Sequence, residues 1–150
     1  MHITPSLWFS ADGGSLEKIV EYYKAIFGND FTADHITSLG ETPSGHTEIS
    51  EVTIFGQPYS FMCTQQEHDQ FNDALSLTIY CADQDEIDRV WDYFTREGQE
   101  VQCGWCIDKY GLRWQVLPKN FAELTSQPHA WEVMMKQKKI VIAEYQQPAK

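Results

Sequence analysis

This chain repeats itself, and that repeat limits its possible folds more than any other feature. Leu7-Trp8-Phe9-Ser10 runs through a turn at Asp12-Gly13-Gly14 into Ser15, a residue type suited to the start of a helix. Leu16, Ile19, Val20, Tyr23 and Phe27 then recur at helical spacing, and Gly28 comes next as a left-handed stop. The same order returns in the second half. Residues 75–81 alternate like a strand, Asp83 or Asp85 can cap, Ile87, Val90, Trp91 and Phe94 mark a helix face, and Gly98 ends it. The segments after the two helices are also alike. The first copy continues with strand-like residues 30–39 and 47–55, a turn at Gly56-Gln57-Pro58, and residues 59–64. The second continues with residues 99–102 and 105–107, a turn at Asp108-Lys109-Tyr110-Gly111, and residues 112–117. Both copies read as βαβββ, the first with a longer loop at 40–45.

The expected architecture is therefore α+β: a single domain over 1–150 made of two βαβββ modules, 1–64 and 74–118, joined by a polar linker at 65–73. A helical extension over 119–150 should complete the chain, with helices at 120–124 and from Pro128, a good first helical residue, to about 138. Ile140-Val141-Ile142-Ala143 has the composition of a strand but stands after a helix, so its state is open.

Alternation on the best strands separates two faces. Ile3, Leu7 and Phe9, Phe61 and Cys63, Leu75, Leu77, Ile79 and Cys81, and Leu112, Trp114 and Val116 form an apolar face for the two helices to cover. The opposite face carries Thr4, Ser6 and Trp8, Ser60, Met62 and Thr64, Ser76, Thr78 and Tyr80, and Arg113 and Gln115. It is either solvated or the wall of a cup. Aromatic rings among a few polar groups favour the cup, a setting typical of small-molecule sites. Arg113, on a strand whose other face is apolar, needs an anionic partner. An internal ion pair and a ligand carboxylate or phosphonate both satisfy that need.

Composition narrows the partners. With 22 acidic against 11 basic residues and a net charge of −11, the surface repels phosphate backbones and anionic headgroups, which argues against nucleic acid and membrane partners. The N-terminus shows no signal-peptide pattern, no apolar run is long enough to span a bilayer, and four cysteines are too few for a disulfide framework, so a cytoplasmic protein with reduced thiols is expected. Cys103-Gly104-Trp105-Cys106 has redox-motif spacing, but no helix is expected after it to lower a thiol pKa, and no second such pair completes a zinc site. His46 and Glu48 could supply two metal ligands without a third. No phosphate-binding loop or serine-hydrolase motif is present.

Paired modules of this kind resemble the vicinal oxygen chelate superfamily, which includes glyoxalase I, extradiol dioxygenases and bleomycin-resistance proteins. The opening Ile3-Thr4-Pro5-Ser6-Leu7-Trp8-Phe9, the run Phe71-Asn72-Asp73-Ala74, the run from Asp83 to Trp91, Gln102-Cys103-Gly104-Trp105, and the run from Asp108 to Pro118 are similar to the PhnB-like branch, often labelled 3-demethylubiquinone-9 3-methyltransferase. The resemblance implies a homodimer and a cupped mixed sheet. It places the superfamily's metal-ligand positions at Thr4, Met62, Ser76 and Gln115, none of them a histidine or carboxylate, so neither a metal nor another cofactor is expected. It also points to a small organic ligand lined by Trp8, Met62, Ser76, Tyr80, Arg113 and Gln115, with Phe71, Cys103 and Trp105 at the rim. The alternatives are a metal-dependent lyase, isomerase or dioxygenase-like enzyme using other ligands, and a sequestering protein of the resistance type without catalysis. The methyltransferase label lacks a glycine-rich cofactor loop to support it.

Overall fold

The computed structural model describes residues 1–146, and the chain divides into two compact units, Met1–Asp69 and the part from Gln70 onward. The first unit comprises β1 (Ser6–Ser10), α1 (Glu17–Phe27), β2 (Phe31–Ala33), β3 (Thr37–Thr42), β4 (Gly45–Ile54) and β5 (Gln57–Thr64). Its sheet runs β1-β5-β4-β2, with β3 also on β4. β1 lies parallel to β5 and the other pairs are antiparallel. Strand alternation puts Leu7, Phe9, Phe61, Val52 and Ile54 on one buried face, and α1 covers it with Ile19, Tyr22, Tyr23, Ile26 and Phe27. Tyr23 is central, with its ring 5.9 Å from Phe61 and 6.3 Å from Phe9. Each such ring, fully buried, contributes about 1.5–3 kcal/mol.

The start of α1 is secured from far along the chain. Ser15 is extended and its Oγ accepts only a long bond, 3.4 Å, from the Glu17 N–H. The strong acceptor is Glu48 Oε2, 2.8 Å from the Leu16 amide nitrogen. Gly28 ends the helix at φ 58°, a conformation costly for any side chain. Other local expectations shift. Residues 30–39 hold two strands rather than one. The loop expected at 40–45 is mostly hairpin, because the Thr42 hydroxyl accepts the Ser44 N–H and donates to the Gly45 carbonyl, tying a two-residue turn. The next turn is Phe55-Gly56, with φ of 48° and 80°, which places Pro58 inside β5. Ile3, expected in the core, is 93% exposed because it precedes β1.

The second unit comprises β6 (Ser76–Cys81), α2 (Gln84–Arg96), β7 (Gln99–Glu100), β8 (Trp105–Ile107) and β9 (Arg113–Pro118). Its sheet runs β6-β9-β8-β7 with β6 parallel to β9. Each unit thus pairs its first strand with its last and covers one face with its helix, an α+β fold of two mixed sheets. Asp83 caps α2, its Oδ1 accepting the Glu86 N–H at 3.0 Å, while Glu86 Oε2 accepts the Ala82 N–H at 2.7 Å. Ile87, Val90, Trp91 and Phe94 are buried, and Phe94 stacks on Trp114 at 4.6 Å. Asp108, 2% exposed, organises the β8–β9 turn by accepting the Tyr110 and Leu112 amides and the Trp114 indole. Gly98 does not stop α2 through a left-handed backbone. A Cβ there would lie 1.9 Å from the Ile107 carbonyl oxygen, so close approach requires the glycine. Leu75, expected in the core, precedes β6 and is exposed.

The extension forms α3 (Phe121–Thr125), α4 (Ala130–Lys136) and α5 (Ile142–Tyr145). Pro128 falls before α4, whose cap is His129. The strand-like Ile140–Ala143 stretch instead leads into α5, because Gln84 Nε2 donates to the Ile140 carbonyl and Gln84 Oε1 accepts the Ile142 N–H, occupying the groups a strand neighbour would use. The end of the extension expected to reach 150 lies outside the described residues. No helix among the described residues is long and apolar enough to cross a membrane.

Candidate functional site

The face of the second sheet opposite α2 gathers the richest polar chemistry. Register places Ser76 beside Arg113, Thr78 beside Gln115, Trp105 across from Gln115 and Ile107 across from Arg113. Gln115 Nε2 donates to Ser76 Oγ at 2.9 Å. This bond leaves the serine hydroxyl hydrogen and the glutamine carbonyl oxygen for another molecule. Arg113, 20% exposed at its side chain, is held at two of its three nitrogens: Nε donates to Asp73 Oδ1 at 2.9 Å, and Nη1 donates to the Phe71 carbonyl at 2.9 Å and the Gly111 carbonyl at 2.7 Å. The ion pair foreseen as one alternative is therefore present, and it fastens the 71–73 segment to β9. Asp73 is 80% exposed, so solvent screens its charge.

Of the nine residues singled out by sequence, seven lie in this unit. Ser76, Arg113, Gln115 and Trp105 adjoin one another in register, and Phe71 joins them through its carbonyl. Tyr80 stands on the same face at the far end of β6, beside Leu117, and is 64% exposed. Cys103 is turned elsewhere: its N–H donates to the Gln137 carbonyl and its thiol to the Met134 carbonyl, both in the extension. Cys106 faces the core, where burial pushes its thiol up to about 12. Cys81 is raised to about 11 for the same reason. Neither thiol suits redox exchange at neutral pH.

Trp8 and Met62 belong to the first unit, adjacent in register on β1 and β5. Trp8 Nε1 donates to Thr64 Oγ1 at 2.9 Å, and its ring stacks on His68 at 4.1 Å. This indole is thus largely satisfied within its own unit. His68 was not among the sequence candidates, since nothing in the spacing ties it to Trp8.

Donor chemistry argues against a divalent metal here. Met62, Ser76 and Gln115 occupy strand positions facing away from the helices and Thr4 precedes β1. The Met62 thioether is a poor ligand for hard or borderline ions, and Thr4, Ser76 and Gln115 offer neutral oxygens with no carboxylate or imidazole among them. Among the described residues no group of three or more His, Cys, Asp or Glu side chains is placed to hold one. His46 and Glu48 do meet, at 3.3 Å, but Glu48 serves the α1 N-terminus.

Residues 1–117 match the family model described as 3-demethylubiquinone-9 3-methyltransferase. Among solved structures, a PhnB protein from Bacillus cereus, described in the same terms, is 26% identical with a TM-score of 0.63, covering 79% of this chain and 99% of that one. Glyoxalase I from Leishmania major, trypanothione-dependent, is 12% identical with a TM-score of 0.52, covering 89% and 98%. A point mutant of the fosfomycin resistance protein FosX from Listeria monocytogenes, in a complex with Mn(II) and a dihydroxypropylphosphonic acid, is 14% identical with a TM-score of 0.51, covering 80% and 93%. No sequence among curated proteins matches.

Proposed function

This chain belongs to the 3-demethylubiquinone-9 3-methyltransferase family, the PhnB-like branch of the vicinal oxygen chelate superfamily, and on that premise we propose that it binds a small organic acid on the exposed face of its second sheet. The observation that carries this reading is the Ser76–Gln115 pair beside an Arg113 that is already held in place. The serine hydroxyl donates to a carboxylate or phosphonate oxygen, the second amide hydrogen of Gln115 adds another bond, and the Nη2 group of Arg113, outside its three internal bonds, supplies charge and a donor. Trp105 offers a ring surface beside the head group. A phosphonic acid bound to the FosX relative fits the same chemistry. The donor set does not fit a metal, and neither sheet is the parallel, doubly wound type on which glycine-rich cofactor loops sit, so the methyltransferase name is not carried over as chemistry.

The protein is further proposed to be a cytoplasmic homodimer. β1 and β6 are each at the edge of their own sheet, and exposed edges favour pairing with another strand. A second reading of Arg113 rests on its three internal bonds: it acts only as a strut between 71–73 and β9. Mass spectrometry of small molecules released on denaturing the purified protein tests the main reading, with light scattering on the same sample. An organic acid released from a particle of twice the 17.3 kDa chain mass is expected. A monomer from which no small acid is released, and which gives no heat with alkylphosphonates or alkanoates, would contradict it.

A further inference from the structure

The match to the family model covers residues 1–117, and the chain beyond it packs onto the second sheet at Leu117. Leu117 stands two residues after Gln115 on the same face of β9, roughly 7 Å along the strand. Where Gln115 is partly open, Leu117 is only 5% exposed, buried in a cluster with Leu124, Ala130, Ile140 and Tyr145 of the extension. The contact is tight. A Cβ on Gly104 would lie 2.9 Å from Leu117 Cδ2 and 3.0 Å from Ile140 Cγ1, so the glycine lets the extension seat against the strand. The extension is also fastened. Cys103 and Gly104 amides donate to the Gln137 and Lys138 carbonyls at 2.9 and 2.8 Å, the Gln84 side chain clamps the backbone at 140 and 142, and Lys139 pairs with Asp88 at 2.9 Å.

We propose that the C-terminal extension is a fixed apolar wall that closes the Leu117 end of the organic-acid site and sets the length of ligand it accepts. The proposal rests on the organic-acid reading of that site, since it needs a head group held at Ser76 and Gln115. With the head there, a tail running along β9 meets Leu117 after one strand repeat, and Ile140, itself 0% exposed, backs Leu117 from within the cluster, so acids with short tails fit and long ones collide. Within the permitted length, each added methylene buried against this wall should strengthen binding about fourfold.

Calorimetric titration with methyl-, propyl- and hexylphosphonate tests this, using wild type, Ile140→Ala and the milder Ile140→Val, with circular dichroism to confirm folding. Propylphosphonate should bind wild type more tightly than methylphosphonate and at least tenfold more tightly than hexylphosphonate. Ile140→Ala should cut that last gap to threefold or less, and Ile140→Val should move it partway. If Ile140→Ala does not fold, the Ile140→Val shift alone decides. If hexylphosphonate binds wild type as well as propylphosphonate, or the folded variants leave the ratio unchanged, the wall is refuted while the binding site stands. If neither these phosphonates nor alkanoates of matching tail length bind wild type, the organic-acid reading falls and the wall with it; if only the alkanoates bind, the same length ratios are read on them.

Discussion

In the first unit Trp8 lies against His68 and bonds to Thr64, so the aromatic ring on that face is partnered by its own neighbours. In the second unit the matching face carries a hydroxyl–amide pair and a guanidinium that keep bonding capacity beyond their internal contacts. The same frame, first strand parallel to last with a helix behind, thus carries two different surfaces. The interiors differ too. The first unit relies on an aromatic cluster around Tyr23 and on a helix start held by Glu48 across the sheet. The second relies on a local cap at Asp83 and on the buried hub at Asp108. Duplicated frames can hold separate tasks because the strand pairs that define the frame do not use the outward side chains.

The largest expected effect breaks the second interior while leaving the first intact. Asp108→Asn keeps the shape but turns an acceptor-only group into one that must point an amide N–H at amide or indole donors. Leaving a buried donor unpaired should cost about 1–3 kcal/mol. Urea unfolding monitored by tryptophan emission checks this, since Trp91, Trp105, Trp114 and Trp131 report on the second unit and Trp8 on the first. If the midpoint stays within error of wild type, the hub does not carry the stability assigned to it.

A smaller effect separates the two roles of Arg113. Lysine keeps a positive charge near Asp73 but cannot reproduce the planar fork. Arg113→Lys should weaken propylphosphonate binding at least tenfold, about 1.4 kcal/mol. Unchanged affinity with a lowered melting temperature would assign Arg113 to bracing 71–73 alone.

Much of this was legible in the sequence. Helix faces such as Ile87, Val90, Trp91 and Phe94 emerge from spacing because an amphipathic helix has few ways to bury its stripe. Strand alternation likewise separates Trp114 from Arg113 and Gln115. The features that spacing could not give are set by contacts distant in sequence. Ile140 and Val141 look like strand residues, and two glutamine side chains divert them: Gln84, far back on α2, takes the Ile140 carbonyl and the Ile142 N–H, and Gln137 takes both backbone groups of Val141. Glu48 resembles half a metal site until its carboxylate is seen to meet the Leu16 amide. Cys103 looks like a rim residue, yet its partners Met134 and Gln137 belong to the extension. The turn at Phe55-Gly56 escapes a reading of the sequence because a phenylalanine at positive φ is rare and carries no turn signal.

Calorimetric titration of propylphosphonate into wild type, Gln115→Ala and Trp8→Ala tests most directly the claim that the acid binds on the second sheet. The account predicts binding to wild type, a loss of at least tenfold in Gln115→Ala, and less than a twofold change in Trp8→Ala. Affinity that survives in Gln115→Ala and collapses in Trp8→Ala would move the site to the first unit and contradict the account.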